Sequence, residues 1–372
     1  MELELLTRLQ QAMHDDDVAA MVITPGADLQ YIAGYDAKPL ERLTALVIPH
    51  TGFPALIAPA LEAGEAREST FARNGGKVIT WSETEDPFLI VADLVDDGVS
   101  GGIAVDDHMW AQRVLRLRQV LHERPQVLAG SILNDLRQKK TAREIELLQE
   151  GAAAIESVHR LVPTIVRSGM TEREVAHHIG AAIIDAGHTG VDFIIVASGP
   201  NGANPHHSVS ERVIGIGDPI VIDIGGTMPS GYRSDCTRTY VVGEPAAEYS
   251  AAFEVLLNAQ QSSVAFVSDE RTCESVDAHA RALMHDHHLD GRPLDEYFIH
   301  RIGHGIGLES HEEPYLVEGN TDVLQPGMAF SIEPGFYVPG RFGARIEDIV
   351  VCTEEGARNL NTLSRDLMRI PA

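Results

Sequence analysis

The sequence predicts an α/β protein of two domains, and three observations carry that prediction. Short apolar, β-branched runs alternate with longer amphipathic patterns at helical spacing along all 372 residues. Hydrophobic residues make up 44% of the chain, enough to fill more than one core. A basic, polar run at Arg137–Lys140, "RQKK", breaks the pattern about a third of the way along. It reads as a linker and divides the chain into 1–135 and 136–372.

In the first part, "VAAMVITP" (18–25), "LTALVIP" (43–49), "PALIAPAL" (54–61) and "KVITW" (77–81) read as strands. "MWAQRVLRLRQVL" (109–121) reads as a helix. The expectation is a small α/β domain. In the second part, Thr141 stands three residues before Glu144, and Thr171 three before Glu174. Both are capping-box spacings, opening amphipathic helices over 141–161 and 171–186. A second helix pair is predicted over 247–268 and 273–287. Strands are predicted at 191–198, 218–226, 236–243, 328–338 and 344–352. The order helices, strands, helices, strands suggests two similar halves sharing a sheet.

Composition excludes several functions. A formal net charge of −26 repels a phosphate backbone, so nucleic acid is not an expected partner. No apolar run reaches the ~18 residues of a membrane helix. The acidic opening "MELELLTRLQ" lacks the basic and apolar regions of a signal peptide. Cys236, Cys273 and Cys352 are odd in number and far apart, which suggests no disulfide framework. A cytoplasmic protein is the expectation.

The chemistry shows as charge in the wrong places. Asp223 stands between Ile222 and Ile224 in "VIDIGG", where an uncompensated carboxylate is costly. Asp235 follows in "RSDCTRTY", after a stretch rich in glycine that reads as a hairpin loop over 225–232. The hairpin would bring the two aspartates together, where they repel unless a proton or cation lies between them. Glu333 interrupts "AFSIEPG", and Glu347 interrupts "ARIEDIVV". Arg233, Arg238 and Arg345 are available as ion-pair partners. A hard divalent cation is the more economical way to hold four carboxylates in apolar strands. "HRIGHGIGLESHEEPY" (300–315) adds His300, His304 and His311, one of which can supply a nitrogen ligand. Two Asp, two Glu and one His suit Mn²⁺, Co²⁺ or Zn²⁺, with oxygen dominance favouring Mn²⁺. Five ligands fit a pair of metals better than a single catalytic zinc.

These motifs, with "GPNGANPHH" upstream, resemble those of the M24 metallopeptidases with the pita-bread fold. That group includes aminopeptidase P, prolidase and methionine aminopeptidase, and the resemblance is closest to bacterial Xaa-Pro dipeptidases (prolidases). It implies a creatinase-type N-terminal domain followed by a catalytic domain with a pseudo-twofold β-sheet flanked by helices. It implies Asp223, Asp235, His304, Glu333 and Glu347 as ligands of two divalent metal ions, with Asp235 and Glu347 bridging. It further implies Glu333 as the proton carrier for a metal-bridging hydroxide, and His206 and His311 as contacts to substrate and tetrahedral centre. His300 is implied at the substrate site, and Arg345 as a partner of the carboxylates. The implied substrates are small peptides with proline second, and the implied assembly is a homodimer.

Two departures stand out. Asp223 and Asp235 are twelve apart, where better-known members have eleven. Some prolidases also carry an arginine directly after the proline of "HExP", where it holds the substrate's free carboxylate; here that residue is Tyr315. This leaves aminopeptidase P, acting on longer peptides, as the alternative activity. A non-catalytic binding module on the same fold is the alternative of another class.

Overall fold

The computed structural model describes residues 3–95, 98–122 and 124–372. The chain forms two compact units, Met1–Arg137 and Gln138–Ala372.

The first unit contains α1 (Leu3–Asp15), β1 (Val18–Ile23), α2 (Ala27–Ala33), β2 (Ala45–Pro49), β3 (Ala55–Pro59), α3 (Ala63–Glu68) and α4 (Thr70–Arg73). It continues with β4 (Lys77–Trp81), α5 (Pro87–Leu94), β5 (Gly102–Val105), α6 (Ala111–Val120), β6 (Gln126–Leu128) and α7 (Gly130–Arg137). One mixed sheet of order β4-β3-β2-β1-β5-β6 runs through it. Successive side chains of a strand point to opposite faces. Met21, Ile23, Leu46 and Ile48 therefore join one core, while Ala20, Val22, Ala45 and Val47 join another. Helices cover both faces, which is why these strands read as continuous apolar runs. Of this unit's helices the sequence reading placed α6 alone, and it missed the short strands β5 and β6.

The second unit begins with α8 (Ala142–Ile165), α9 (Glu172–Asp185), β7 (Gly190–Ser198), β8 (Pro219–Thr227) and β9 (Arg233–Val242). Both predicted capping boxes are present, Thr141 with Glu144 and Thr171 with Glu174. Helix α8 passes through Pro163 to Ile165, beyond the predicted end. Proline lacks the N–H that would bond the carbonyl four residues back. That carbonyl, of His159, accepts instead from the Tyr240 hydroxyl at 3.2 Å. Next come α10 (Ala247–Phe266), α11 (Cys273–His285), a two-residue pair β10 (His288–Leu289) and β11 (Arg292–Pro293), β12 (Gly303–Gly305) and β13 (Glu312–Leu316). The unit closes with β14 (Ala329–Ile332), β15 (Gly335–Val338), β16 (Phe342–Arg345), β17 (Asp348–Thr353), β18 (Gly356–Asn359) and β19 (Met368–Ile370).

The two halves do not share one sheet. One sheet has the order β19-β9-β8-β7, another β13-β12-β14-β17-β18, and β15 pairs with β16. The two larger sheets meet where the Glu347 amide donates to the Thr237 carbonyl at 3.1 Å. Helices α8 and α9 pack on the first sheet through Ile155, Val175, Ile179 and Ile222. Helices α10 and α11 pack on the second through Phe253, Leu256, Val276 and Phe330.

The presumed linker is built in. Lys139 bridges to Met328, and the Lys140 amide donates to the Gly327 carbonyl at 2.8 Å. The Lys140 ammonium is buried in an ion pair with Glu312.

Candidate metal centre

The β8–β9 hairpin sets the first two carboxylates. Its register runs unbroken from Pro219↔Val241 to Thr227↔Arg233, so the loop is confined to 228–232, shorter than predicted. Ile220, Ile222 and Ile224 face the helices, and strand alternation turns Asp223 to the opposite face. On β9, Cys236 and Tyr240 face the helices, which turns Asp235 and Thr237 the other way. Asp223 stands opposite Thr237 and Asp235 opposite Gly225, so the aspartates are diagonal neighbours.

The glutamates are not inside strands. Glu333 follows β14 and precedes β15, and Glu347 lies between β16 and β17. Each predicted strand is thus broken at its acid, which frees backbone for other bonds. The Glu333 amide donates to Ile302 at 2.7 Å. The Thr237 hydroxyl donates to Glu347 Oε2 at 2.7 Å.

His304 sits on β12 opposite Tyr315, and its amide donates to the Ser331 hydroxyl at 3.1 Å. Its Nδ1 faces the Gly305 carbonyl at 3.1 Å, which places the proton on Nδ1 and the lone pair on Nε2. That Nε2 lies 3.3 Å from Glu333 Oε1, 3.8 Å from Asp235 Oδ2 and 3.9 Å from Glu347 Oε1. Burial, then the neighbouring His311, pushes its pKa well below the usual value, so the ring is neutral. A lone pair aimed at three carboxylate oxygens is repulsive unless a proton or a cation lies among them.

The carboxylates give the same signal. Burial first, then Glu347, Asp223 and Glu333, raises Asp235 well above the usual carboxylate range. Burial and Glu347 raise Glu333 likewise. Burial and Asp223 bring Glu347 up to about 7. Asp223 Oδ1 and Asp235 Oδ1 are buried without a hydrogen-bond partner. Ligand atoms of Asp235, His304 and Glu347 all lie within 4.8 Å of one another, close enough to hold one ion. One guanidinium, Arg345, stands against four carboxylates. It pairs with Asp223 Oδ2 at 2.5 Å and donates to the Tyr337 hydroxyl at 2.7 Å. The other candidate arginines pair elsewhere, Arg238 with Asp348 and Arg233 with Asp192. The excess negative charge, the orphaned oxygens and the single imidazole lone pair fit oxygen-preferring divalent cations.

These residues line a cavity of about 640 Å³, together with His206, His300 and His311. His206 and His311 are exposed, while His300 is partly buried. His300 Nδ1 donates to the Arg301 carbonyl at 2.7 Å, and its Nε2 accepts from the Tyr337 hydroxyl at 2.8 Å. Burial, then Arg345, brings its pKa down to about 3. Both its nitrogens are engaged within the protein. Phe193, Ile195, Pro205 and Val317 form apolar wall.

Two features of the site escaped the sequence reading. Arg301 is one. The other is the support of the His206 loop: buried Glu172 accepts from Ser198 N and Oγ (both 2.8 Å), Asn201 Nδ2 (3.0 Å), His207 Nε2 (2.7 Å) and Ser210 Oγ (2.6 Å). Glu172 looks like an ordinary first-turn helix acid, so nothing in the letters marks it.

A hairpin and two strand breaks that gather carboxylates and one imidazole are the work of a known family. The chain belongs to metallopeptidase family M24, whose profile matches residues 146–354, and it is an enzyme of the hydrolase class. Residues 6–139 match the Creatinase/Prolidase N-terminal domain. The chain is 46% identical to the probable dipeptidase PepE of Mycobacterium tuberculosis, over 97% of this chain and 94% of that one. It is 34% identical to the Xaa-Pro dipeptidase of Lactobacillus helveticus, over 98% and 99%. The crystal structure of dipeptidase PepE from Mycobacterium ulcerans superposes with a TM-score of 0.92 at 46% identity, covering 99% of this chain and 98% of that one.

Proposed function

We propose that the protein is a Xaa-Pro dipeptidase that works with two divalent metal ions held by Asp223, Asp235, His304, Glu333 and Glu347. The observation that carries this is the buried carboxylate cluster around the His304 lone pair, at an apolar-walled cavity of dipeptide scale. The substrate class is carried by the likeness to the Lactobacillus Xaa-Pro dipeptidase. Oxygen-rich coordination favours Mn²⁺ over Co²⁺ or Zn²⁺.

When bound, such ions supply a Lewis acid for the scissile carbonyl and a water of lowered pKa. The chain's own residues do the rest. Glu333 stands at the break after β14, 3.3 Å from the Ser331 hydroxyl, and carries a proton from the nucleophile to the leaving nitrogen. His206 and His311, at the exposed edge of the cavity, donate hydrogen bonds to the substrate and to the developing oxyanion. Arg345 holds Asp223 and fixes its orientation. The acidic floor attracts a free α-amine, which confines cleavage to the chain end. Apolar Phe193, Ile195 and Val317 suit a proline ring.

The test is hydrolysis of Ala-Pro by chelator-stripped protein, with and without Mn²⁺, beside Ala-Ala and a proline-containing tripeptide. Metal-dependent cleavage of Ala-Pro alone is the expected result. Cleavage of the tripeptide as well moves the activity to aminopeptidase P. No turnover with any divalent metal defeats the enzymatic reading of this site.

A further inference from the structure

We infer that Arg301 anchors the free carboxylate of a dipeptide substrate and so sets selectivity for dipeptides over longer chains. The inference rests on the Xaa-Pro dipeptidase reading above.

Among the described residues, two guanidinium groups line the cavity, those of Arg301 and Arg345. Arg345 is committed: it is buried, and it bonds Asp223, Thr237 and Tyr337. Arg301 differs on each count. It is partly exposed. Among the described residues its guanidinium is in no ion pair and donates no hydrogen bond. Two of the acids that follow in sequence are engaged elsewhere. Glu312 is paired with Lys140, and Glu313 accepts from the Tyr315 amide at 3.0 Å. A cavity-lining arginine without a carboxylate, in a chain of net charge −26, is a ready site for an anion.

The residue is also held in place. The following amide, of Ile302, donates to the Leu316 carbonyl at 3.2 Å, which ties this segment to β13. The Arg301 guanidinium lies over the Tyr315 ring, 4.0 Å from its centroid. Stacking on an aromatic face fixes the plane of the fork while leaving its N–H edges free. Tyr315 occupies the place where some prolidases carry their carboxylate-binding arginine. Here the cation comes from the neighbouring segment and rests on the ring that replaced it. Val317 lines the same cavity, so the anchored carboxylate and the proline ring would share one wall.

A dipeptide presents an ammonium to the acidic floor and a carboxylate to Arg301. A tripeptide carries an uncharged amide at that position and gains no such contact. A charge-assisted hydrogen bond contributes enough to change kcat/KM by about 10- to 100-fold.

The experiment compares Ala-Pro with Ala-Pro amide, which lacks only the carboxylate charge. Wild type, R301M and R301K are assayed as Mn²⁺-loaded protein, with thermal unfolding as a check on folding. The expected result is a loss of about 10- to 100-fold for R301M on Ala-Pro, mainly in KM, with the amide changed less than about threefold. R301K should lie between, because a lysine keeps the charge and loses the fork. Should R301M not fold, R301K alone decides through its acid-to-amide ratio. An equal effect on both substrates, or none on either, overturns the inference and leaves the dipeptidase reading standing. Wild type inactive on both substrates overturns that reading, and the inference with it.

Discussion

Replacing Glu172 by glutamine should cost the second unit about 3 kcal/mol at neutral pH, and the cost should shrink in acid. The magnitude comes from the site. Burial alone would raise the Glu172 pKa, but hydrogen bonds from Ser210, Ser198, Asn201 and His207 outweigh it and bring it down to about 2 from 4.5. A displacement of that size corresponds to about 3 kcal/mol in favour of the ionised folded form. Because the folded pKa is the lower one, this contribution is full above about pH 5 and is lost as pH falls through 4.5 towards 2. Glutamine keeps the volume but turns an N–H₂ towards groups that already donate. Both tryptophans, Trp81 and Trp110, lie in the first unit, so fluorescence would follow the wrong half. Urea unfolding by circular dichroism, with hydrogen exchange at the Ser198 and Ser210 amides, reads the right one. Loosening the loop should also displace His206 and lower kcat/KM about 10- to 100-fold. A glutamine variant within about 1 kcal/mol of wild type at pH 7, or a gap constant from pH 6 to pH 3, would show that the Glu172 charge does not hold this loop.

Three further outcomes follow from the same packing. Glu347→Gln should weaken Mn²⁺ binding at least about tenfold, read by calorimetry, because one charge leaves the cluster. Gly303→Ala should abolish metal binding and lower the melting temperature, since a methyl there drives into the Ser331 carbonyl beside His304; wild-type affinity in this variant would show that β12 has slack. Buried His159, with Nε2 3.0 Å from the Cys236 carbonyl, is held neutral by desolvation with a pKa of about 3. Its contribution to stability is full above its ordinary 6.5 and is lost as pH falls towards 3, so its ring should stay neutral by NMR at pH 5.

The legible parts of the sequence were those where a local rule and the tertiary structure agree. Thr141 with Glu144 and Thr171 with Glu174 announce helix starts because capping is settled within one turn. Asp223 and Asp235 stood out because a charge in an apolar strand has few local explanations. The strand breaks at Glu333 and Glu347 were hidden, because apolar residues continue on both sides of each acid. What interrupts the ladder is long-range, such as the Thr237 carbonyl drawing away the Glu347 amide. Lys140 read as linker because its partner, Glu312, is remote in sequence. Glu172 and Glu174 look alike in "TEREV", and only the fold separates a solvent-exposed cap from a buried anchor for the His206 loop. The helix predicted to end at 161 instead runs through Pro163, because Tyr240, on another element, bonds the carbonyl the proline leaves open.

The proposed centre is one buried cluster that holds two metal ions. Chelator-stripped protein titrated with Mn²⁺ tests it, with bound metal and Ala-Pro turnover read on the same samples. The expected result is two ions per chain and turnover that appears only as the metal binds. Binding of one ion or none at saturating Mn²⁺, or Ala-Pro cleavage by the stripped protein, would contradict it.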